Sequence, residues 1–480
     1  MMRKRQSQKT ITEPARKTRV FREADVVVVG GGPGGIGAAI SAARAGADTV
    51  LIERYGHLGG MATGGLVNII PNLGDIYGKQ HIAGLCQELI DRLDARRATS
   101  YPKKKDWGTA DRKVVDYYLD ANLRHFYIRL DSNSGKERVL YTVLVDPEVL
   151  KDELNTMVTE AKAKVLLHSW GTAPIMDGNT VKGVIFESKS GRQAILGKVV
   201  IDSTGDGDLL PLVGAECISK IDPKLRISNL AFCFWIANVD LKKVDEFKAS
   251  KPQKYEELTQ ELASLGGFSG FGGFPPYFKG LLKNQQSVIW FHPHISCSNQ
   301  TEVEEMTRVD ISSRKKALIT WEFLKKYVPG FEKSFIMLTA PQLGTTGGRR
   351  IVGEYVLTEK DLDRDKPFED TVAVFADNDR GELSLKHPQM YIPYRSLVPR
   401  KVEGLLVACR AFSSEDSVNN LYNLIPHCIC FGQAAGTAAA MAINAGVSVR
   451  KLSYKALQDS LKKQGVILPD VKAGKRVKVT

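Results

Sequence analysis

The feature that most constrains this chain is the stretch DVVVVGGGPGGIGAAISAARAGADTVLIER, residues 25–54. Its β-branched run, glycine-rich turn, alanine-rich segment and second apolar run predict a strand, a helix and a parallel strand, buried on both faces. Gly30, Gly32 and Gly35 have the spacing GxGxxG, which permits a tight turn and lets the backbone approach a pyrophosphate at the helix N-terminus. The stretch therefore predicts a dinucleotide-binding unit.

Glu53 ends the second predicted strand, at the distance where an acidic residue accepts hydrogen bonds from a ribose 2′-hydroxyl. The same carboxylate would repel a 2′-phosphate, which leaves NAD and FAD open. A helix N-terminus contributes only about 0.3–1 kcal/mol to holding a charge, whereas nanomolar affinity requires about 12 kcal/mol. A tightly held cofactor must therefore contact further segments of the chain.

The net charge of +13 is concentrated at the two ends of the chain, in residues 1–22 and 471–480. The body is close to neutral, unlike the basic face with which proteins bind nucleic acid. No apolar run approaches the roughly 20 residues of a membrane span. The seven cysteines are odd in number and include no CxxC pair, which argues against a disulfide framework or a zinc site. We expect a cytoplasmic protein of two or three domains that binds no nucleic acid, membrane or metal.

Four further motifs follow along the chain: RYGHLGGMATGG, VVIDSTGDGD, LLVACRAFSSED and GQAAGTAAA. Together with PQLG…RRIVGEYVLT and IPYRSLVP, their order is similar to that of a large family of FAD-dependent oxidoreductases with a glutathione-reductase-type FAD domain. The resemblance runs from about residue 26 to residue 465 and selects FAD over NAD. No second GxGxxG of this quality is present in the sequence, so we expect the flavin to exchange electrons with substrate directly.

The resemblance implies an α/β fold, with a Rossmann-like FAD-binding domain interrupted by an α+β substrate domain. Homo-oligomers are compatible with this family and chain length. The expected divisions are a basic disordered tail (1–22), an FAD-binding domain (23–75, 143–215 and 395–450), a substrate or cap domain (76–142 and 216–394), and a C-terminal helix with a basic tail (451–480).

The resemblance also implies which residues bind the cofactor. In that family the first glycine turn contacts the pyrophosphate, the acidic residue contacts the adenosine ribose, and the last strand and helix lie on the flavin side. Carried over by position, the implied cofactor-binding residues are Gly30, Gly32, Pro33, Gly34, Gly35, Glu53, Arg54, Gly59, Gly60, Met61, Thr63, Trp170, Thr204, Gly205, Asp206, Arg410, Gln433 and Ala434.

Oxidation by a flavin needs a base or a hydrogen bond for the O–H or N–H proton, while hydride leaves the adjacent carbon for flavin N5. His427 lies just ahead of the closing helix, and His294 lies in the extended stretch WFHPHISC. The family's paired arginines could bind a substrate carboxylate in bidentate fashion, although one of them could equally hold a structural carboxylate. The predicted catalytic residues are His427, His294, Arg349, Arg350 and Tyr391.

Three positions depart from the family pattern. Thr346 and Asn423 stand where relatives usually have arginine, and Cys409 stands where they usually have glycine. The first two changes would remove positive charge from the substrate region. We therefore expect a substrate less anionic than is typical of the family.

The predicted function is oxidation of a small organic substrate by hydride transfer to flavin N5, with oxygen or an external acceptor reoxidising the flavin. One alternative is a reductase of an unsaturated acid, resembling fumarate reductase, which the lost arginines weaken. Another is a flavoprotein that binds RNA through its basic tails, which the near-neutral body disfavours.

Overall fold

A computed structural model describes residues 10–120, 127–270, 278–279, 287–376 and 389–470. Its helices are α1 Pro33–Arg44, α2 Leu85–Ala95, α3 Arg112–Asp120, α4 Pro147–Glu160, α5 Leu241–Ser250, α6 Pro252–Ser264, α7 Val303–Tyr327, α8 Asp416–Tyr422, α9 Ile425–Asn444 and α10 Tyr454–Lys463.

The strands of the described residues form several sheets. They are β1 Arg19–Val29, β2 Thr49–Ile52, β3 Ile69–Ile70, β4 Thr99–Ser100, β5 Ile128–Asp131, β6 Lys136–Val139, β7 Val143–Val145, β8 Lys164–Leu166, β9 Trp170–Asp177, β10 Thr180–Ser188, β11 Gly191–Asp202, β12 Cys217–Ile218, β13 Asn229–Ala231, β14 Phe234–Ala237, β15 Phe278–Lys279, β16 Ile289–Phe291, β17 His294–Ser296, β18 Phe335–Thr339, β19 Gly344–Thr345, β20 Arg350–Ile351, β21 Thr371–Ala376, β22 Gln389–Pro393 and β23 Leu405–Val407.

A seven-stranded sheet forms the centre of the first unit, in the order β8-β2-β1-β11-β10-β9, with β23 beside the last residues of β11. The strands β8, β2, β1, β11 and β23 are parallel, and the β9–β10 hairpin continues the sheet in antiparallel register. The β-branched end of β1 is buried because helices pack on one face of the sheet and the β9–β10 hairpin contributes side chains to the core on the other face. The predicted α/β sheet is confirmed.

Helices α1 and α9 pack against each other almost backbone to backbone. A Cβ built on Gly432 would collide with the carbonyl oxygen of Gly34, and one built on Gly436 would collide with that of Ala38. A Cβ on Gly37 would lie 2.5 Å from the carbonyl oxygen of Ile429. Glycine at these positions allows the close approach, which brings the N-termini of both helices to the same edge of the sheet.

A second unit has its own apolar core of aromatic and aliphatic side chains. The sheets β15-β16-β14-β18 and β17-β13-β19 pack with α5, α6 and α7 around Phe232, Phe234, Phe291, Leu324 and Phe331. All five side chains are fully buried. This unit is therefore α+β in class.

Three boundaries differ from the predicted domain divisions. Residues 19–22 belong to β1, where Arg19 pairs with Gln193, so the basic tail ends earlier than residue 22. Helix α2 and the β21–β22 hairpin, which the sequence-based divisions place in the substrate domain, contribute buried side chains to the core of the first unit. Sequence pattern cannot show which of two cores an amphipathic element joins, because either core buries the same face.

Among the described residues, no single helix has the length and hydropathy of a membrane span. The pair α8 and α9, bent by 98° between them, meets that criterion together by length and composition alone.

Replacing Gly432 by alanine tests the α1–α9 contact. Helix propensity alone would make Gly432→Ala stabilising by about 1 kcal/mol. The collision with Gly34 should instead lower the free energy of unfolding by about 1–3 kcal/mol. Urea unfolding of the purified variant and parent decides the sign, and a gain in stability would show that the two helices are not in backbone contact.

Candidate functional site

A cleft of about 890 Å³, open solvent at its mouth included, lies along the carboxyl ends of β1, β2, β11 and β23. Val29 and Ile52 end two of these strands at the cleft, and Ser203 and Cys409 follow the other two. Ligands of open α/β sheets bind at this edge. We call this space the dinucleotide cleft.

The glycine turn forms one wall of the dinucleotide cleft. Gly30 has a φ of 98°, and a Cβ there would lie 2.5 Å from the carbonyl oxygen of Ser203. Gly32 begins α1 without a side-chain cap, and a Cβ built on it meets no atom within 4 Å. The first-turn N–H groups of a helix have no intrahelical acceptor. This turn therefore presents donors and a positive dipole end to an anion.

Glu53 is 6% exposed and lines the dinucleotide cleft. Its two carboxylate oxygens accept hydrogen bonds from the N–H groups of Gly31 (2.6 Å) and Tyr55 (2.8 Å). A carboxylate offers about four acceptor positions, so these bonds leave capacity for a ribose hydroxyl. The side chain thus joins the glycine turn to the segment after β2.

Planar side chains flank the end of the cleft beside Glu53. The guanidinium carbon of Arg54 lies 4.9 Å from the ring centroid of Tyr55 and 5.8 Å from that of Trp170. Trp170 is 55% exposed and lines the cleft. A half-exposed indole beside a guanidinium offers a stacking surface to a planar base.

Arg410 connects the TGDGD loop to the cleft. Its guanidinium lies against Gly205, where a Cβ would come within 2.5 Å of Nη1. Nη2 donates to Asp206 Oδ1 (2.7 Å) and to the hydroxyl of Thr345. Burial and, after it, the neighbouring carboxylates Asp206 and Asp202 raise the pKa of Asp208, another cleft residue, to about 6.

A second space, which we call the inner cavity, adjoins the dinucleotide cleft and measures about 1190 Å³ with its open solvent. Four residues line both spaces: Met61, Thr345, Asn423 and Ile425. The remaining described lining residues are Val67, Ile69, Pro71, Asn72, Arg129, Arg226, His292, His294, Gly344, Thr346, Asn420, Leu421 and Leu424.

Two histidines stand side by side in the inner cavity. The rings of His292 and His294 lie 5.1 Å apart in an edge-to-face arrangement. Burial, with a smaller contribution from the charge of Arg226, lowers the pKa of His294 to about 4. Burial also lowers the pKa of His292 well below its ordinary value. Both imidazoles are therefore neutral at pH 7.

Of the predicted catalytic residues, only His294 lines the inner cavity. His427 is fully buried; its Nδ1 accepts the N–H of Leu424 (3.3 Å), and its ring lies 4.2 Å from that of Phe375. Burial lowers the pKa of His427 to about 3. The side chain turns back to cap α9, and His427 lines neither the dinucleotide cleft nor the inner cavity, so its catalytic role stays a prediction.

The other three predicted catalytic residues also lie away from the inner cavity. Arg349 donates to the carbonyl oxygens of Asp206 (3.1 Å) and Gly207 (3.0 Å), which anchors the TGDGD loop. Arg350 is fully buried and pairs with Asp416. This is the alternative in which one of the paired arginines holds a structural carboxylate. Tyr391 is 6% exposed, lies within the first-unit core, and its hydroxyl accepts from the amide of Gln389.

Most of the predicted cofactor residues line the dinucleotide cleft. They are Gly30, Gly32, Pro33, Gly34, Glu53, Arg54, Gly60, Met61, Trp170, Thr204, Gly205 and Arg410.

Six of the predicted cofactor residues do not line the cleft, and each contacts another part of the protein instead. A Cβ built on Gly35 would collide with Gly30, and one built on Gly59 would collide with Thr63. The hydroxyl of Thr63 donates to the carbonyl oxygen of Leu58 (2.6 Å). Asp206 holds Arg410 from outside the cleft.

The last two of the six, Gln433 and Ala434, lie inside the first unit. The side-chain oxygen of Gln433 accepts the N–H of Leu85 (3.1 Å), and its amide donates to Gln464 (3.0 Å). Ala434 is fully buried in the core. The side chain of Gln433 thus points toward α2 and the C-terminal segment.

Arg226 is the site residue that the sequence prediction most clearly missed. Its Nη2 donates to Asn423 Oδ1 (2.7 Å) and to the carbonyl oxygen of Asn420. The hydroxyl of Thr346 donates to the carbonyl oxygen of Asn229 (2.5 Å), with the main-chain carbonyl oxygen of Arg226 3.3 Å away. The guanidinium of Arg226 thus lies at Asn423, one of the two positions where the resemblance implies arginine, and Arg129 lines the same space. The expected loss of positive charge is not found.

No motif marks Arg226 in the sequence, because its contacts are with residues about 120 and 197 positions later in the chain. A cation in an unpatterned stretch such as KLRISN is indistinguishable from a surface residue without the fold.

Comparisons with known proteins agree with the fold and cleft. A family model described as FAD dependent oxidoreductase matches residues 25–461. Digeranylgeranylglycerophospholipid reductase 1 of Methanopyrus kandleri is 26% identical over 183 residues, which cover 38% of this chain and 40% of that protein. The match therefore spans less than half the length of this curated relative.

Two solved structures resemble the chain at low identity. A geranylgeranyl bacteriochlorophyll reductase-like protein from Thermoplasma acidophilum has a TM-score of 0.43 at 15% identity, covering 92% of this chain and 83% of that one. The p-nitrophenol 4-monooxygenase of Pseudomonas putida DLL-E4 has a TM-score of 0.44 at 12% identity, covering 91% and 83%.

The structural role of Arg350 can be tested with Asp416→Asn. This change leaves a buried guanidinium without its carboxylate and should lower the free energy of unfolding by about 3 kcal/mol. Thermal or urea unfolding measures the loss, with Glu305→Gln as the matched control in the exposed Arg308 pair. Equal losses in the two variants would contradict a structural Arg350–Asp416 pair.

Proposed function

The chain belongs to the FAD-dependent oxidoreductases, and from that premise we propose that it oxidises a small organic molecule by hydride transfer to the N5 atom of FAD. In this proposal FAD binds in the dinucleotide cleft and the molecule binds in the inner cavity. The observation that carries the proposal is the shared wall, since Met61, Thr345, Asn423 and Ile425 line both spaces. A ligand in one space is within reach of a ligand in the other.

The residues of the dinucleotide cleft fit a flavin dinucleotide. The open approach at Gly32 suits a pyrophosphate, which the first turn of α1 would hold, and Glu53 would hold the adenosine ribose. Among the described residues, none accepts a hydrogen bond from the buried Nε of Arg410, which is therefore available to an acceptor on a ligand. When bound, FAD supplies the two-electron acceptor at N5.

His294 is the residue we propose as the proton acceptor. It lines the inner cavity and is neutral at pH 7, so it can take the O–H or N–H proton that oxidation releases. His292 packs against it and would fix the orientation of its ring. Oxygen or an external acceptor would then reoxidise the flavin.

The two arginines of the inner cavity favour a second candidate, the reduction of an unsaturated acid. That reaction also needs a proton donor at the substrate carbon. A histidine whose pKa is lowered to about 4 holds no transferable extra proton at pH 7. Oxidation therefore remains the main proposal.

The remaining proposals concern the cellular location, the oligomeric state and the partners of the protein. All seven cysteines are free thiols, which suits the cytoplasm, and a homo-oligomer is compatible with the fold. The RNA-binding alternative depends on the basic tails, and residues 1–9 and 471–480 lie outside the described residues. We propose a small-molecule substrate and no nucleic-acid or membrane partner.

Flavin content and flavin reduction test the proposed function. The purified protein should release FAD on denaturation, and one of a series of alcohols, amines and hydroxy acids should bleach its visible absorption without oxygen. In His294→Asn, FAD content should stay the same while the rate of bleaching falls about 10²–10⁴-fold. His168→Asn is the matched control, because His168 is exposed and lies at a positive φ that asparagine tolerates. A protein that binds no FAD would overturn the proposal.

The pH dependence of flavin reduction tests the role of His294 separately. Because its pKa is lowered to about 4, its neutral form predominates above that pH and is lost as the pH falls further. The rate of bleaching should therefore stay constant from pH 7 to about pH 5 and decline near pH 4. A decline centred near 6.5, the ordinary histidine value, would show that a solvent-exposed group is the base.

A further inference from the structure

The charges that line the inner cavity are of one sign. Among the described residues that line it, Arg129 and Arg226 are the charged ones, and none is aspartate or glutamate. The two histidines contribute no charge at pH 7. Any ligand that enters the cavity therefore meets positive charge on the walls formed by these residues.

Arg226 is held at the wall that faces the dinucleotide cleft. Its guanidinium donates to the side chain of Asn423, a residue that lines both spaces. The amide of Asn423 in turn donates to the carbonyl oxygen of Thr346. These bonds fix the plane of the guanidinium, and a fixed planar fork matches the two oxygens of a carboxylate better than a mobile ammonium does.

The charge of Arg226 acts on the groups around it. It contributes, after burial, to the lowered pKa values of His292, His294 and His427. Three imidazoles on two segments of the chain thus experience its positive potential. In such a low-dielectric space an anion would be attracted more strongly than in water.

Part of the lining of the inner cavity is apolar. Val67, Ile69 and Pro71 come from the segment around β3, Leu421 lies in α8, and Leu424 lies between α8 and α9. The volume of about 1190 Å³, open solvent included, exceeds the roughly 300–1,000 Å³ of typical small-molecule sites. The cavity therefore has room for an apolar body beyond the anionic group.

We propose that the inner cavity takes an organic carboxylate with an apolar body, whose acid group binds Arg226 while its carbon chain or ring packs on the aliphatic walls. This inference rests on the proposed function, because it names the substrate class of the same site. It replaces the expectation of a less anionic substrate. At Asn423, one of the two positions where the resemblance implies arginine, the guanidinium of Arg226 supplies positive charge instead.

Binding of matched ligand pairs tests the proposal without relying on turnover. Phenylacetate and hexanoate, each compared with its neutral amide, are titrated into the protein while its flavin absorption and its melting temperature are recorded. The carboxylates should perturb the flavin spectrum and raise the melting temperature in a saturable way. The amides should bind at least about tenfold more weakly, because they cannot form the charge-assisted contact.

Variants of the cavity arginines separate charge from shape. Arg226→Gln should weaken carboxylate binding about tenfold or more and leave amide binding nearly unchanged, and Arg226→Lys should fall between the two. Arg308→Gln, an exposed arginine of α7, is the matched control and should bind like the parent. Because Arg226 also holds Asn420 and Asn423, Arg129→Gln on β5 provides an independent variant, for which a weaker but specific loss of carboxylate binding is expected.

The failure of this inference and that of the proposed function give different results. If FAD is bound but the amides bind as tightly as the carboxylates, or if Arg226→Gln binds both ligands like the parent, the carboxylate proposal is overturned and the flavin proposal stands. If the protein binds no FAD, the flavin proposal is overturned. The melting-temperature measurement on the FAD-free protein then still decides whether the cavity prefers carboxylates.

Discussion

The close contact between α1 and α9 is the constraint on which the rest of the site depends. Glycines on both helices remove the Cβ atoms that would hold them apart, so that Gly432 lies against Gly34 and Gly436 against Ala38. The contact brings the N-terminus of α9, which follows Asn423, beside the glycine turn at the start of α1. Two positive helix ends and the carboxyl ends of four parallel strands then meet along one cleft.

Polar side chains hold this arrangement from outside the helices. Glu53 bonds the glycine turn to the segment after β2, while Arg349 and Arg410 hold the TGDGD loop after β11. Arg350 and Asp416 form a buried pair near the start of α8. Loss of one partner of such a pair leaves a buried polar group uncompensated, so these residues maintain the shape of the site.

The inner cavity receives positive charge from a position that the family resemblance does not mark. The resemblance implies arginine at positions 346 and 423, where this chain has threonine and asparagine, and the guanidinium of Arg226 is bonded to Asn423. Neutral histidines and aliphatic side chains complete the walls. The electrostatic energy of a ligand at the site depends on its distance from each charge. The charged residue can therefore come from any position in the chain that the fold brings to that distance.

The sequence by itself determined the first unit: the βαβ stretch at residues 25–54, the acidic residue Glu53 and the order of the later motifs are local patterns, and local backbone chemistry decides them. It also indicated twelve of the 25 residues that line the dinucleotide cleft, because glycine turns and strand ends are marked in the sequence. It did not determine which way the side chains of His427, Gln433 and Tyr391 point, or that Arg226 joins the inner cavity. Those outcomes were decided only by the tertiary structure, because they depend on contacts between segments far apart in the chain, for which neither hydrophobic periodicity nor motif spacing carries a signal.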